Sequence, residues 1–409
     1  MLTLLGCVVL IGAILEGVVR FFLLKSGLFL QACPKVTAAM VNKYKTFDAQ
    51  LGWKPNPVKN HQDNTGSYIG LQGNTTYSID DQGSRTFSGA PTYSYIATFG
   101  DSFCMCREVN DTETIQYHLS QFTQSYVTNY GVGNYGLDQA LLRLESMNLS
   151  DSVHAVVMIL TPWTIERTLS VWLHYANPGN VLAVKPRFIL SDGLLKLVKS
   201  PLQSPNDFLH LKRYQDFFRQ QDGNAPYFFA QLKKAPKTAL GYVVKDGDLL
   251  RCLIASTRVK TDSKNDRSIA INRFLQEAEP YLLKTFQRKN DYLQGLYEKQ
   301  QDLLFALLKR FVDVCQEKGR RPYCVMLPAY THVRYMQDNH ELYRAAFDRI
   351  CAELNLSYLD LYAYWKSLDD VELQSLYVDK YGHHSVTGNQ RIAGIIHQQW
   401  FGKPEKISK

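Results

Sequence analysis

The sequence of 409 residues lacks the patterns that mark several large classes of protein. Its eight cysteines include no Cys-x-x-Cys pair and follow no regular spacing, so a disulfide framework is not indicated and most of them are expected to be small buried residues. No Lys/Arg block, zinc-finger spacing or RNA-binding signature is present, which argues against nucleic acid as a partner. Walker patterns and metal-ligand clusters are also missing, so neither a cofactor nor a metal is predicted.

The composition is that of an ordinary globular protein, with 45% hydrophobic and 21% charged residues. The length allows one large domain with insertions or two smaller ones. The net charge of +8 is mild and spread along the chain, which favours attraction to anionic glycans or lipid headgroups.

The N-terminus is the one long apolar run. Residues 2–15 carry no charge, and the only charges in residues 1–24 are Glu16 and Arg20, which can pair at i,i+4. Since roughly 20 residues of helix cross a bilayer, we predict an uncleaved transmembrane anchor over residues 1–24. A cleaved signal peptide and a buried core helix are the alternatives.

The rest of the chain predicts an α/β fold. Residues 25–94, which are rich in Pro, Gly, Asn and Ser, are interpreted as a linker and lead-in, with short strands around 67–71 and 75–79. From residue 95 strands and helices alternate, with an insertion at about 167–280 after the third strand. Strands are predicted at 94–99, 125–130, 154–160, 323–327 and 356–361, and helices at 112–123, 137–147 and 390–400. This alternation is typical of a parallel sheet with helices on both faces.

Ser102 is the first candidate for chemistry. It follows a predicted strand in the turn Gly100-Asp101-Ser102, which leads toward a helix. Ligands of open α/β folds bind at the carboxyl edge of the sheet, where this serine would lie. The tripeptide alone is weak evidence for a nucleophile, because ordinary turns contain the same residues.

A base for this serine is available near the C-terminus. Asp379, His383 and His384 come just before the last predicted helix. One histidine can accept the serine proton while Asp379 orients its ring. His383 is preferred to His384 because of its spacing from Gly388.

A Gly-rich loop, residues 129–136, follows the second predicted strand. Its backbone N–H groups would supply a second donor to an oxyanion, beside the N–H of Ser102.

These three elements, in this order, resemble the SGNH (GDSL) hydrolase family over roughly residues 95–160 and 323–400. The resemblance implies a three-layer, flavodoxin-like fold and an esterase, lipase or O-acyltransferase activity. It makes Ser102 the nucleophile, His383 the base and Asp379 the orienting acid. The oxyanion hole would consist of the Ser102 N–H and an N–H of Gly133 or Asn134.

The sequence departs from the family pattern in three places. Asn134 stands where the loop commonly has Gly. The family's Gly-x-Asn-Asp block has no match, and Thr164 is the best candidate for the place of its Asn. Asp379 lies four residues before His383 rather than three. A lost side-chain donor to the oxyanion can lower the rate on the order of 100-fold.

Asp101, Arg167 and Trp172 are predicted to contact substrate, with buried packing as the alternative for Arg167 and Trp172. The apolar N-terminus and residues 51–56 and 185–188 resemble a bacterial membrane-anchored subgroup associated with surface polysaccharides. We therefore expect an anchored enzyme that acts on acyl, mainly acetyl, esters of such a polysaccharide, with its catalytic domain on the extracytoplasmic side. A catalytically weak glycan-binding component and a lipase are the alternatives.

Overall fold

The structure is a computed structural model that describes residues 2–25, 30–63, 75–89, 93–245, 267–379 and 382–402. The chain divides into two compact units. The smaller unit comprises Met1–Tyr44, Ser170–Val184 and Pro201–Arg288, and the larger unit comprises Lys45–Leu169, Lys185–Ser200 and Lys289–Lys409.

All the strands of the described residues belong to the larger unit. Their bounds are β1 (Phe47–Asp48), β2 (Gly52–Trp53), β3 (Val58–Asp63), β4 (Thr75–Ile79), β5 (Arg85–Thr86), β6 (Ser94–Gly100), β7 (Tyr126–Asn129), β8 (Ala155–Leu160), β9 (Arg187–Ser191), β10 (Leu194–Val198), β11 (Arg321–Met326) and β12 (Ser357–Asp360).

The helices are distributed over both units. Their bounds are α1 (Leu2–Lys25), α2 (Ala38–Lys43), α3 (Ser102–Met105), α4 (Ile115–Thr123), α5 (Leu137–Ser146), α6 (Thr164–Leu169), α7 (Gln215–Gln221), α8 (Ala225–Lys234), α9 (Ala239–Lys245), α10 (Arg267–Lys299), α11 (Gln301–Glu317), α12 (Tyr330–Gln337), α13 (Arg344–Glu353), α14 (Tyr362–Trp365), α15 (Asp370–Ser375) and α16 (Val386–Ile396). Tighter 3₁₀ turns occupy Asp111–Glu113 and Pro205–Tyr214, and a π-helical turn occupies His397–Phe401.

The central sheet of the larger unit has eight strands in the order β12-β11-β8-β6-β7-β5-β4-β3. The first five are parallel, as the sequence predicted. The last three are antiparallel and extend the sheet beyond β7. These three lie within the segment interpreted as linker and lead-in, so that segment builds part of the domain. The predicted strand around 67–71 lies outside the described residues.

The parallel strands have a switch point at β6, because β7 pairs with one of its edges and β8 with the other. Since crossovers between parallel strands are right-handed, the two connections, which carry α4 and α5, lie on opposite faces of the sheet. Helix α16 packs with α4, and α11 packs with α5. The result is a three-layer arrangement whose binding edge is the carboxyl end of β6.

The core of the larger unit follows from the apolar runs of the sequence. Every residue of β8 is buried, as expected for a strand covered on both faces. Helix α11 buries one apolar stripe, made by Leu303, Leu304, Leu307, Leu308, Phe311 and Val312.

The smaller unit contains the predicted helix α1, in which Arg20 pairs with Glu16 at 2.8 Å. Glu16 also accepts the backbone N–H groups of Ala239 and Leu240 at 2.7 and 2.9 Å, at the start of α9. Among the residues that the structure describes, none of the helices has the length and apolar character needed to cross a membrane.

Gly388, in the first turn of α16, lies where only glycine fits. A Cβ added there would be 2.1 Å from the carbonyl oxygen of Leu376. We expect Gly388→Ala to lower the free energy of unfolding by about 1–3 kcal/mol, because backbone must move to relieve the clash. Denaturant unfolding of the purified protein measures this change.

Gly394, in the same helix, is the matched control. A Cβ there would meet only a Phe122 ring carbon at 3.9 Å, which is ordinary contact. Gly394→Ala should raise stability by about 0.5–1 kcal/mol through helix propensity. Equal losses in the two variants would contradict the close packing of Gly388.

Candidate active site

Ser102 lies at the carboxyl end of β6 as the first residue of α3. The backbone before Ser102 packs closely on β8: a Cβ on Gly100 would be 2.0 Å from the carbonyl oxygen of Ile159, so only glycine fits there. Ser102 is 8% exposed, and its side chain makes no hydrogen bond within the described part of the chain. The predicted nucleophile is therefore held at the switch point of the sheet with its hydroxyl uncommitted.

Asp101 caps α3 and is fully engaged by the protein. One carboxylate oxygen accepts the N–H of Phe103 at 2.8 Å. The other accepts the hydroxyl of Thr161 at 2.8 Å and the guanidinium of Arg167 at 2.5 Å. With Asp101 only 1% exposed, this geometry favours a structural role for it, and Arg167 reaches the site as part of the same network.

The Gly-rich loop packs directly against the nucleophile turn. The N–H of Val132 donates to the carbonyl of Gly100 at 3.0 Å. A Cβ on Gly131 would be 2.3 Å from the backbone nitrogen of Met105 in α3, so glycine is required there. The structure thus brings together the loop and the serine that the sequence predicted as partners.

The peptide between Gly133 and Asn134 is fixed by Trp53. The indole N–H of Trp53 donates to the Gly133 carbonyl at 3.0 Å. Since the C=O and N–H of a trans peptide point in opposite directions, the Asn134 N–H points away from Trp53. Asn134 adopts the left-handed conformation, with φ of 65°, which Asn tolerates better than most residues.

None of the predicted oxyanion donors has a hydrogen-bond partner among the described residues. The N–H groups of Ser102, Gly133 and Asn134 make no hydrogen bond within the described residues. The hydroxyl of Thr164 is also buried without a partner among them. Because these groups have no partner among the described residues, they are available to bind a ligand oxygen.

His383 lies against the residue that follows the nucleophile. Its ring centroid is 4.5 Å from that of Phe103. No hydrogen bond between Ser102 and His383 is formed in the described structure. Such contacts are often long in enzymes without ligand and tighten when substrate binds.

The carboxylate beside His383 is that of Glu108, which the sequence did not predict. Nδ1 of His383 is 3.1 Å from one Glu108 oxygen, and the backbone N–H of His383 donates to the other at 3.1 Å. Burial raises the pKa of Glu108, but the charge of the nearby His383 ring and the hydrogen bond from the His383 backbone N–H outweigh this and hold the Glu108 pKa below its ordinary value. The only sequence signal was an acidic residue six positions after Ser102.

Asp379, the predicted orienting acid, lies near Gly382, as Glu108 does. A Cβ on Gly382 would be 3.3 Å from an oxygen of Asp379 and 2.9 Å from an oxygen of Glu108. Among the described residues, the carboxylate at ion-pair distance from the His383 ring is that of Glu108.

His384 is buried in an aromatic box. Its ring stacks on Tyr377 at 4.7 Å and contacts Trp365 and Phe103, each at 5.3 Å. Burial lowers its pKa to about 3, and repulsion from His383 adds to this effect. This environment favours packing for His384 and leaves His383 as the histidine with a carboxylate partner.

Trp163 and His332 extend the aromatic surface beside Phe103. The half-buried Trp163 ring is 5.8 Å from that of Phe103 and 4.3 Å from that of His332. His332 is completely buried, and burial, with the nearby charge of Arg167, lowers its pKa to about 3. The neutral ring accepts the N–H of Ala329 at Nδ1.

Trp172, a predicted substrate contact, belongs to the smaller unit and is completely buried. Its indole N–H donates to the carbonyl of Val181 at 3.0 Å, and its ring packs on Phe218 and Tyr175. No face of the ring is exposed to receive a ligand, which favours the packing alternative.

No protein-family profile and no curated protein matches the chain. Several solved structures are distantly similar. One crystal structure is 13% identical with a TM-score of 0.35 and covers 76% of this chain and 97% of its own. Another, described as a lipolytic protein of the G-D-S-L family from Desulfitobacterium hafniense DCB-2, is 11% identical with a TM-score of 0.33 and covers 75% of this chain and 98% of its own.

The observed architecture is a three-layer α/β fold whose site elements stand in the predicted order. A central, mostly parallel sheet carries a serine at the end of β6, a Gly-rich loop after β7 and a histidine before the last helix. These features come from the sheet order and the local contacts described above.

Proposed function

We propose that the protein is a serine esterase or O-acyltransferase that forms an acyl-enzyme on Ser102. The observation that carries the proposal is the Ser102 hydroxyl at the switch point of the sheet, which makes no hydrogen bond to the described residues and lies beside a packed Gly-rich loop. The position of His383, against Phe103 and beside a buried carboxylate, supports the proposal that His383 is the base.

The mechanism has two symmetrical halves. Ser102 Oγ attacks the carbonyl carbon of a bound ester while its proton passes to His383 Nε2. The carbonyl electron pair moves onto oxygen, which the N–H groups of Ser102 and Asn134 stabilise. Collapse breaks the bond to the alcohol oxygen, which takes the proton from His383 and leaves the acyl group on Ser102. Water or a second hydroxyl then repeats these steps and releases an acid or a new ester.

The substrate class we propose is an acyl ester, mainly acetyl, of a surface or exported polysaccharide. The half-buried Trp163 beside Phe103 offers an aromatic face of the kind on which sugar rings stack, and the Arg167 guanidinium lies 5.8 Å from its ring centre. We also propose that residues 1–24 anchor the protein in a membrane, with this domain on the extracytoplasmic side.

Mass spectrometry of the full chain tests the activity. After incubation with a fluorophosphonate probe, we expect one adduct, on the peptide that contains Ser102. Short acetyl esters and acetylated oligosaccharides should be cleaved or used as donors at higher kcat/KM than long-chain esters.

Preference for long-chain esters would instead support a lipase. A protein that binds oligosaccharide but never reacts with the probe or with any ester would contradict the enzymatic proposal and favour a glycan-binding component.

A further inference from the structure

We infer that Glu108, rather than Asp379, is the carboxylate that positions His383 during acyl transfer. This inference rests on the proposed function of Ser102 and His383. It places the orienting acid six residues after the nucleophile, in the turn that follows α3, instead of in the C-terminal block that carries the base.

The first argument is the two-point contact between Glu108 and His383. One oxygen lies 3.1 Å from Nδ1 of the ring, and the other accepts the backbone N–H of the same residue at 3.1 Å. A carboxylate at Nδ1 favours the proton on that nitrogen, which leaves Nε2 free to accept the proton of Ser102. The backbone contact holds the loop at the same time, so the ring orientation and the loop position are set together.

Burial strengthens this contact. The Glu108 side chain is 2% exposed and that of His383 is 16% exposed. An imidazolium that forms during the reaction would therefore be stabilised by a charge that solvent screens little.

The backbone on both sides of Glu108 is clamped by Arg85, from β5. Its guanidinium donates to the carbonyls of Met105, Cys106 and Val109 at 2.9, 2.6 and 2.5 Å. Arg85 is itself 3% exposed and pairs with Asp111 at 2.8 Å. Because an arginine fork fixes several acceptors at once, the direction of the Glu108 side chain is set by a rigid support.

The position also depends on Gly382. A Cβ there would lie 2.9 Å from a Glu108 oxygen, so the absence of a side chain leaves room for this carboxylate against the His383 loop. Asp379 lies near the same glycine, but in the part of the chain that the structure describes the carboxylate paired with His383 is that of Glu108.

Four groups face His383 and set the electrostatic environment of its ring. They are the Glu108 carboxylate at Nδ1, Arg107 next to that carboxylate, Asp379 near Gly382, and the neutral, buried His384. Removing the charge of Glu108 destabilises the protonated ring. The acid limb of the rate profile should then move to lower pH.

The test compares Glu108→Gln with Asp379→Asn in the full chain, with a soluble aryl acetate as substrate. Glu108→Gln should lower kcat by roughly 10²–10⁴-fold with little change in KM, since a Gln amide at Nδ1 favours the wrong tautomer. The acid limb should shift to lower pH only in this variant, and Glu108→Asp should restore part of the rate. Asp379→Asn should stay within about tenfold of wild type.

Nitrogen NMR of the His383 ring gives a readout that does not depend on turnover. The Nδ1–H tautomer should be present in the wild type and in Asp379→Asn and lost in Glu108→Gln, whereas unchanged thermal unfolding shows that each variant folds. A larger effect of Asp379→Asn, or an unchanged tautomer in Glu108→Gln, would overturn the inference. Failure of Ser102 to react with the probe in the wild type would instead count against the proposed function.

Discussion

Replacement of Ser102 by Ala is expected to lower ester cleavage by on the order of 10⁴–10⁶-fold and to abolish reaction with a fluorophosphonate probe. Without Oγ no acyl-enzyme forms, and the oxyanion donors alone give only a small residual rate over water. Steady-state rates on an aryl acetate and the intact mass of the protein measure the two effects.

The fold should not change in this variant. The Ser102 side chain makes no hydrogen bond within the described residues, and Ala suits the first turn of a helix. Ser146, an exposed serine near the end of α5, serves as the control, and Ser146→Ala should react as the wild type does. Retained turnover in Ser102→Ala would exclude Ser102 as the nucleophile.

Replacement of His383 by Gln should lower kcat to a similar degree, by on the order of 10⁴–10⁶-fold, because the serine then has no base. Of His383 and His384, His383 is the one whose contacts favour a reactive role, since its ring lies against Phe103 and faces Glu108. Rates with an aryl acetate across a pH range measure the loss.

His384 provides the matched comparison. Both of its ring nitrogens are buried without a partner among the described residues. His384→Phe therefore removes two unsatisfied polar atoms and keeps the packing on Tyr377, so its rate should stay within about tenfold of wild type. If His384→Phe loses as much activity as His383→Gln, the assignment of the base to His383 is wrong.

The strands of the parallel sheet were predictable because their signal is local. The apolar run at 154–160 matches β8, Ala155–Leu160, and the predicted strand at 94–99 matches β6, Ser94–Gly100. The predicted helix at 112–123 is in fact a 3₁₀ turn followed by α4, because the Thr114 side chain accepts the N–H of Tyr117 and begins a new helix. Capping of this kind shifts boundaries without changing the fold.

The lead-in segment was harder to interpret. Strands β3, β4 and β5 are short, and their residues become part of the sheet only because the edge of β7 offers unpaired backbone groups. Composition rich in Pro, Gly and Asn does not reveal such an edge, since pairing partners are far apart in sequence.

In the candidate site, too, some features follow from local sequence and others only from tertiary contacts. The sequence by itself determined that Ser102 follows a strand, that a Gly-rich loop follows the next strand, and that Asp379 and His383 precede the last helix, because turn residues and apolar periodicity act over a few neighbours. Only the tertiary structure decided which carboxylate faces His383. Glu108 and His383 are 275 residues apart, and the direction of a side chain in an irregular loop is set by long-range contacts, here the clamp of Arg85 and the space beside Gly382.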